Sequence, residues 1–137
     1  MREPAVRNRG LSVLLVDDDA ALAHAIEALL LLEGFTVFVA GSLLHARRVL
    51  AREPPSCVLL DHRLADGNAP ELLDELVARD ARVPVVLFSG APAAIETARA
   101  YGIAHVPKPC DVDMLVAAIE LAVTRSGYPI DAKRRRA

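Results

Sequence analysis

Three consecutive carboxylates, Asp17, Asp18 and Asp19, follow the apolar run Leu11 to Val16, and a fourth, Asp61, follows the apolar run Cys57 to Leu60. Carboxylates gathered within a few Å raise one another's pKa or need a cation between them. A hard divalent ion such as Mg2+, which takes carboxylate, carbonyl and water oxygens, meets that need. Ser89 ends a later apolar run and is followed by Gly90 and Ala91, whose small size leaves room for an incoming group. Lys108, between Pro107 and Pro109, adds a point cation. A carboxylate nucleophile, a divalent ion, a lysine and a hydroxyl donor suit phosphoryl transfer onto Asp61, because positioning and charge neutralisation are most of what that reaction requires. Neither a P-loop nor a GxGxxG sequence competes for the phosphate.

These side chains act together only if the fold brings them to one edge. LSVLLV (Leu11 to Val16) is apolar on both faces, as a strand covered by helices on both sides must be. Leu22, Ile26, Leu29 and Leu30 then recur at helical spacing until the stop at Gly34. The unit repeats. Strands are expected at Phe35 to Ala40, Cys57 to Leu60, Pro84 to Ser89 and, most weakly, Ala104 to Pro107. Helices are expected from the N-cap Ser42 to Arg52, from Glu71 to Arg79, from Ala93 to Tyr101 and from Val112 to Arg125. Five βα units imply an α/β fold, a five-stranded parallel sheet doubly wound by right-handed crossovers. With strand order 2-1-3-4-5 the chain reverses between the first and third strands, and ligands in open α/β sheets bind at that switch point. Asp17, Asp18 and Asp61 lie there.

The 137 residues fit one domain: an extension over 1–10, the body over 11–125 and a basic tail over 126–137. A 53% hydrophobic content and this length allow a core without staples. The balance of 16 Lys+Arg against 18 Asp+Glu lacks the basic footprint of a dedicated nucleic-acid binder. Cys57 and Cys110 have no CxxC spacing and read as buried or incidental thiols. His24 and His45 have no ligand spacing, and Lys133 to Arg136 reads as a solvated charge run. The basic N-terminus has no apolar stretch of signal-peptide length, and no run is long enough to span a bilayer, so a soluble cytoplasmic protein is expected.

VDDD at the end of strand one, LLDHRLADG around strand three, LFSG at strand four and PKP at strand five resemble the receiver domain of two-component response regulators. The resemblance covers about residues 11–125 and implies the flavodoxin-like receiver fold. By that resemblance Asp61 is the phosphoacceptor, Asp17 and Asp18 form the acidic pair, and Lys108 contacts the phosphoryl group. Mg2+ would be held by Asp18, Asp61 and the carbonyl of Arg63, beside Asp17. Ser89 would be the switch hydroxyl, and Lys108-Pro109 would be a cis peptide. The implied partners are a histidine kinase or phosphotransfer protein and a downstream protein target. Direct contact with nucleic acid or a membrane is not expected. A homodimer through helix four, strand five and helix five is a further expectation. The side chains of Arg63 and Ala91 would flank the path of attacking water, so Arg63 is expected to set the lifetime of the phosphorylated state.

Three positions depart from the receiver pattern. Ala65 and Ala69 stand where the family carries Pro and Gly, with Pro70 one residue later, so a differently shaped loop is expected around the Asp66-Gly67 turn. His105 stands where a switch aromatic is expected, and its imidazole brings less apolar area and a titratable charge. These departures keep open a non-phosphorylated pseudo-receiver acting as an interaction module. Asp17-Asp18-Asp19 also satisfies the DxD pattern of haloacid-dehalogenase-type phosphatases, but Ala21 replaces the expected Thr or Val and Asp61 is left without a role. The short flanks leave little room for an output domain, so output through the receiver surface is expected.

Overall fold

The computed structural model describes residues 10–125; the terminal extension before Gly10 and the basic tail over 126–137 lie outside the described residues. Among these, five parallel strands form the sheet: β1 (Ser12–Val16), β2 (Thr36–Ala40), β3 (Cys57–Leu60), β4 (Val85–Phe88) and β5 (Ala104–Val106). Their order is β2-β1-β3-β4-β5, as the repeating units predict. β1 lies between β2 and β3 in parallel register, with Val16 opposite both Ala40 and Leu60. That register brings the residues after β1 and β3 to the same edge.

The helices are α1 (Ala20–Leu32), α2 (Leu43–Arg52), α3 (Ala69–Ala78), α4 (Ala93–Tyr101) and α5 (Val112–Thr124). Because β-strand side chains alternate faces, β3 sends Cys57 and Leu59 to one core and Val58 and Leu60 to the other. The first core is closed by Ala23, Ile26 and Leu30 of α1 and Leu115, Val116 and Ile119 of α5. The second is closed by α2, α3 and α4 through Leu43, Leu50, Leu72, Leu73, Leu76, Ala94 and Ala98. No helix of the described residues is long and apolar enough to cross a membrane.

Two local differences from the sequence expectation have physical causes. Helix α3 begins at Ala69, two residues before the expected Glu71. Asn68 accepts from the Glu71 N–H and the Glu71 carboxylate accepts from the Asn68 N–H, a reciprocal capping box ahead of Pro70 in the first turn. The segment expected as a plain loop contains a two-residue antiparallel ladder, Arg63–Leu64 with Gly67–Asn68. At Gly67, with φ of 150°, an added Cβ would lie 2.6 Å from the Leu43 side chain. The turn residue Asp66 reaches back to α2, where its carboxylate accepts the N–H groups of Leu43 and Leu44 at 2.9 and 3.0 Å. Those bonds hold the Asp66 carboxyl below the usual carboxylate range.

Candidate functional site

Each chemical group projects from the carboxyl end of a strand. Asp17 follows β1 with its N–H bonded to the Ala40 carbonyl at 3.0 Å, and Asp61 follows β3 with its N–H on the Val16 carbonyl at 3.0 Å. Asp19 caps α1, its side chain accepting from Leu22 N–H at 3.1 Å, so the third carboxylate belongs to the helix. The other two remain at the strand mouth. Oxygens of Asp17, Asp18 and Asp61 lie within 4.8 Å of one another.

Lys108 lies among these charges. Its Nζ is 2.5 Å from Asp17 Oδ2 and 3.2 Å from Asp61 Oδ2, and it sits over the Phe88 ring at 5.2 Å. Burial lowers the lysine pKa, but the Asp17 hydrogen bond and the Asp61 and Asp17 charges outweigh it, leaving the group above the ordinary 10.5. The Lys108-Pro109 bond is cis, as the resemblance implies.

The three acids are not equivalent. Asp17 is 2% exposed, with Oδ2 on Lys108 and Oδ1 accepting from Asp19 N–H at 2.9 Å. Asp18 is exposed and Asp61 half-buried, so those two are more open to solvent than Asp17. An all-oxygen donor set, open on one side, fits a hard divalent ion that keeps several waters. Asp18 and Asp61 would be its direct protein donors, with Asp17 acting chiefly through Lys108.

Ser89 is 1% exposed, and its Oγ accepts from Ala91 N–H at 3.1 Å. His105 is half-buried, with Nε2 2.9 Å from the Ser89 carbonyl oxygen. A carbonyl only accepts, so Nε2 carries the proton and the ring is fixed against the strand that bears Ser89. Arg63 is exposed beside the acids. His24 and His45 are exposed on α1 and α2, away from this cluster. Cys57 is buried, its thiol pushed up to about 12 by burial, and Cys110 is half-buried.

One group that the sequence did not flag as part of the site is His62. Its N–H donates to Asp61 Oδ1 at 2.7 Å, and its ring Nε2 meets Thr97 Oγ1 of α4 at 2.9 Å. Burial, with the charges of Arg63 and His105 adding and that of Asp61 opposing, holds the ring below the ordinary histidine value. Its Nδ1 is the single buried side-chain polar atom without a partner among the described residues. Leaving such a group unsatisfied costs roughly 1–3 kcal/mol. Nothing local in the sequence marks the contact, since Thr97 lies 35 positions downstream.

Comparison with known proteins bears on the whole arrangement. The family model described as the response regulator receiver domain matches residues 13–120. The chain is 30% identical over 128 residues to the transcriptional regulatory protein GlrR of Escherichia coli, a match covering 91% of this chain and 29% of that protein. It is 30% identical over 115 residues to the acid tolerance regulatory protein ActR of Rhizobium meliloti, covering 79% of this chain and 57% of that one. It therefore spans less than two thirds of the length of these curated relatives. Among solved structures, the non-phosphorylated HemR receiver domain of Leptospira biflexa is similar with a TM-score of 0.72 at 26% identity, covering 83% of this chain and 94% of that one. The Francisella response regulator 1452 receiver domain shares the fold with a TM-score of 0.76 at 22% identity, covering 85% and 98%. With its strand order, its carboxylates and lysine at one sheet edge, and a family match across most of its length, the chain belongs to the response regulator receiver domain family.

Proposed function

We propose that this chain is a phosphoacceptor: it takes a phosphoryl group onto Asp61 from a phosphohistidine of a histidine kinase or phosphotransfer protein. The observation that carries the reading is the Lys108 ammonium held between a buried Asp17 and a solvent-facing Asp61. Asp61 is thereby the more exposed acid of that pair, with a cation beside it. In the transfer an Asp61 carboxylate oxygen forms the new P–O bond while the P–N bond of the donor breaks. The electron pair leaves on the imidazole nitrogen, which then takes a proton. Lys108 would offset charge on the transferred oxygens, and the Ser89 hydroxyl, at the end of the adjacent β4, would turn from Ala91 N–H toward them.

Asp18, Asp61 and the Arg63 carbonyl would hold Mg2+, with Asp17 behind them. The ion supplies positive charge to the phosphoryl oxygens. Arg63 is exposed at the mouth, where its side chain would modulate the access of water to the acyl phosphate. Output through protein contacts, including a second copy at α4, β5 and α5, follows from repacking of that face when Ser89 moves.

The phosphatase reading would take its nucleophile from the acids after β1, yet the Asp17 side chain is 2% exposed against 16% for Asp61, and Asp19 caps α1. Turnover separates the two. Incubated with acetyl phosphate and Mg2+, the chain is expected to retain about one phosphoryl group per molecule. Release of phosphate from many equivalents, with none retained, would favour a phosphatase instead.

A further inference from the structure

His62 joins the acceptor aspartate to α4 through its own atoms. Its N–H is bonded to Asp61 Oδ1 at 2.7 Å, its carbonyl accepts Ala69 N–H at 2.8 Å where α3 begins, and its buried ring is bonded to Thr97 at 2.9 Å. Helix α4 is otherwise lightly tethered at its start. Its N-cap, Pro92, makes no side-chain cap bond, and the first turn rests on Ala94 N–H to Ala91 and Ile95 N–H to Pro92. Farther along, Tyr101 is bonded through its hydroxyl to Asp74 of α3. Thr97 lies between these ends, at the middle of the helix.

From this geometry we infer that His62 is a positioning residue that reports the state of Asp61 to α4 through the His62–Thr97 hydrogen bond. The inference rests on the reading of Asp61 as phosphoacceptor. When Asp61 becomes an acyl phosphate, its carboxylate loses the negative charge that strengthens the His62 N–H bond. The hold on the His62 N–H then weakens while its carbonyl stays on Ala69 N–H, and the ring shifts with the peptide. The ring is enclosed and its Nδ1 lacks a partner, so the Thr97 bond is the polar contact through which that movement reaches α4. This route is separate from the Ser89 hydroxyl, which is bonded to Ala91 N–H ahead of the helix.

The test uses Thr97→Val, which keeps the branched shape and removes the hydroxyl, and Thr97→Ser, which restores it. Hydrogen–deuterium exchange over residues 93–101 is measured in the full chain with Mg2+, with and without beryllium fluoride as the phosphoryl mimic. In the parent chain the mimic is expected to change exchange over α4 by about threefold or more. In Thr97→Val that change should shrink to less than about half, while acetyl phosphate still deposits about one phosphoryl group; Thr97→Ser should recover it. A merely structural role would shift exchange equally with and without the mimic and leave the difference intact. A full-sized difference in Thr97→Val, or a phosphorylated parent chain whose α4 does not respond, overturns the inference. A parent chain that accepts no phosphoryl group overturns the phosphoacceptor reading and this inference with it, an outcome recognised by the missing adduct.

Discussion

Lys108→Met is expected to lower stability to unfolding by roughly 3 kcal/mol, at the low end of the cost of breaking a buried ion pair. The substitution keeps the aliphatic stem against Phe88 and removes the ammonium, leaving the 2%-exposed Asp17 carboxylate without its counter-charge. Urea unfolding measures the loss. Adding Asp17→Asn to the same chain should return more than half of it, because the stranded charge is then gone; no recovery would show that packing, not charge, was lost. The pH dependence has a definite sign. Lys108 has a raised pKa in the folded chain, so its stabilising contribution is fully present below the ordinary lysine value of 10.5 and fades as pH rises through the raised one. Parent and variant should therefore converge only in strongly alkaline solution. The same substitution should slow phosphoryl incorporation by about 100-fold, the scale of losing one preorganised charge at a reacting oxygen.

Leu59→Ala is expected to cost about 2–5 kcal/mol, the range for truncating a fully buried leucine. Leu59 is 0% exposed on the central strand β3, enclosed by the α1 and α5 side chains of one core. A single domain has only about 5–15 kcal/mol in total, so the variant should unfold at a much lower urea midpoint. Leu32→Ala is the control. At 70% exposed, Leu32 should change stability by less than about 0.5 kcal/mol. Equal losses at both positions would mean that β3 is not the centre of the core.

The strand pattern was legible because parallel strands covered on both faces show as unbroken apolar runs. CVLL was delimited correctly at Cys57–Leu60, and LSVLLV was one residue too long. Strand order followed from the repeated βα unit. Asp17, Asp18, Asp61 and Lys108 are singled out because each stands near where an apolar run stops, and the fold brings those four side chains together. What escaped depends on contacts remote in sequence. Asp66 read as a turn residue, whereas its carboxylate also holds the start of α2, 22 to 23 positions away. His62 is adjacent to Asp61 in the sequence, but the bond of its ring to Thr97 arises only when the fold brings α4 beside the segment after β3. The early start of α3 has a local cue in the sequence, Asn68 and Glu71 at capping-box spacing with Pro70 in the first turn.

The most direct test of the central claim is the location of the phosphoryl group. After acetyl phosphate and Mg2+, intact-mass measurement should show one phosphoryl group per chain, stable in acid and released by hydroxylamine as an acyl phosphate must be. Peptide mapping should place it on Asp61, and Asp61→Ala should carry none. An adduct on another residue, an equal adduct in Asp61→Ala, or none from acetyl phosphate and from every phosphohistidine donor tried would contradict the account.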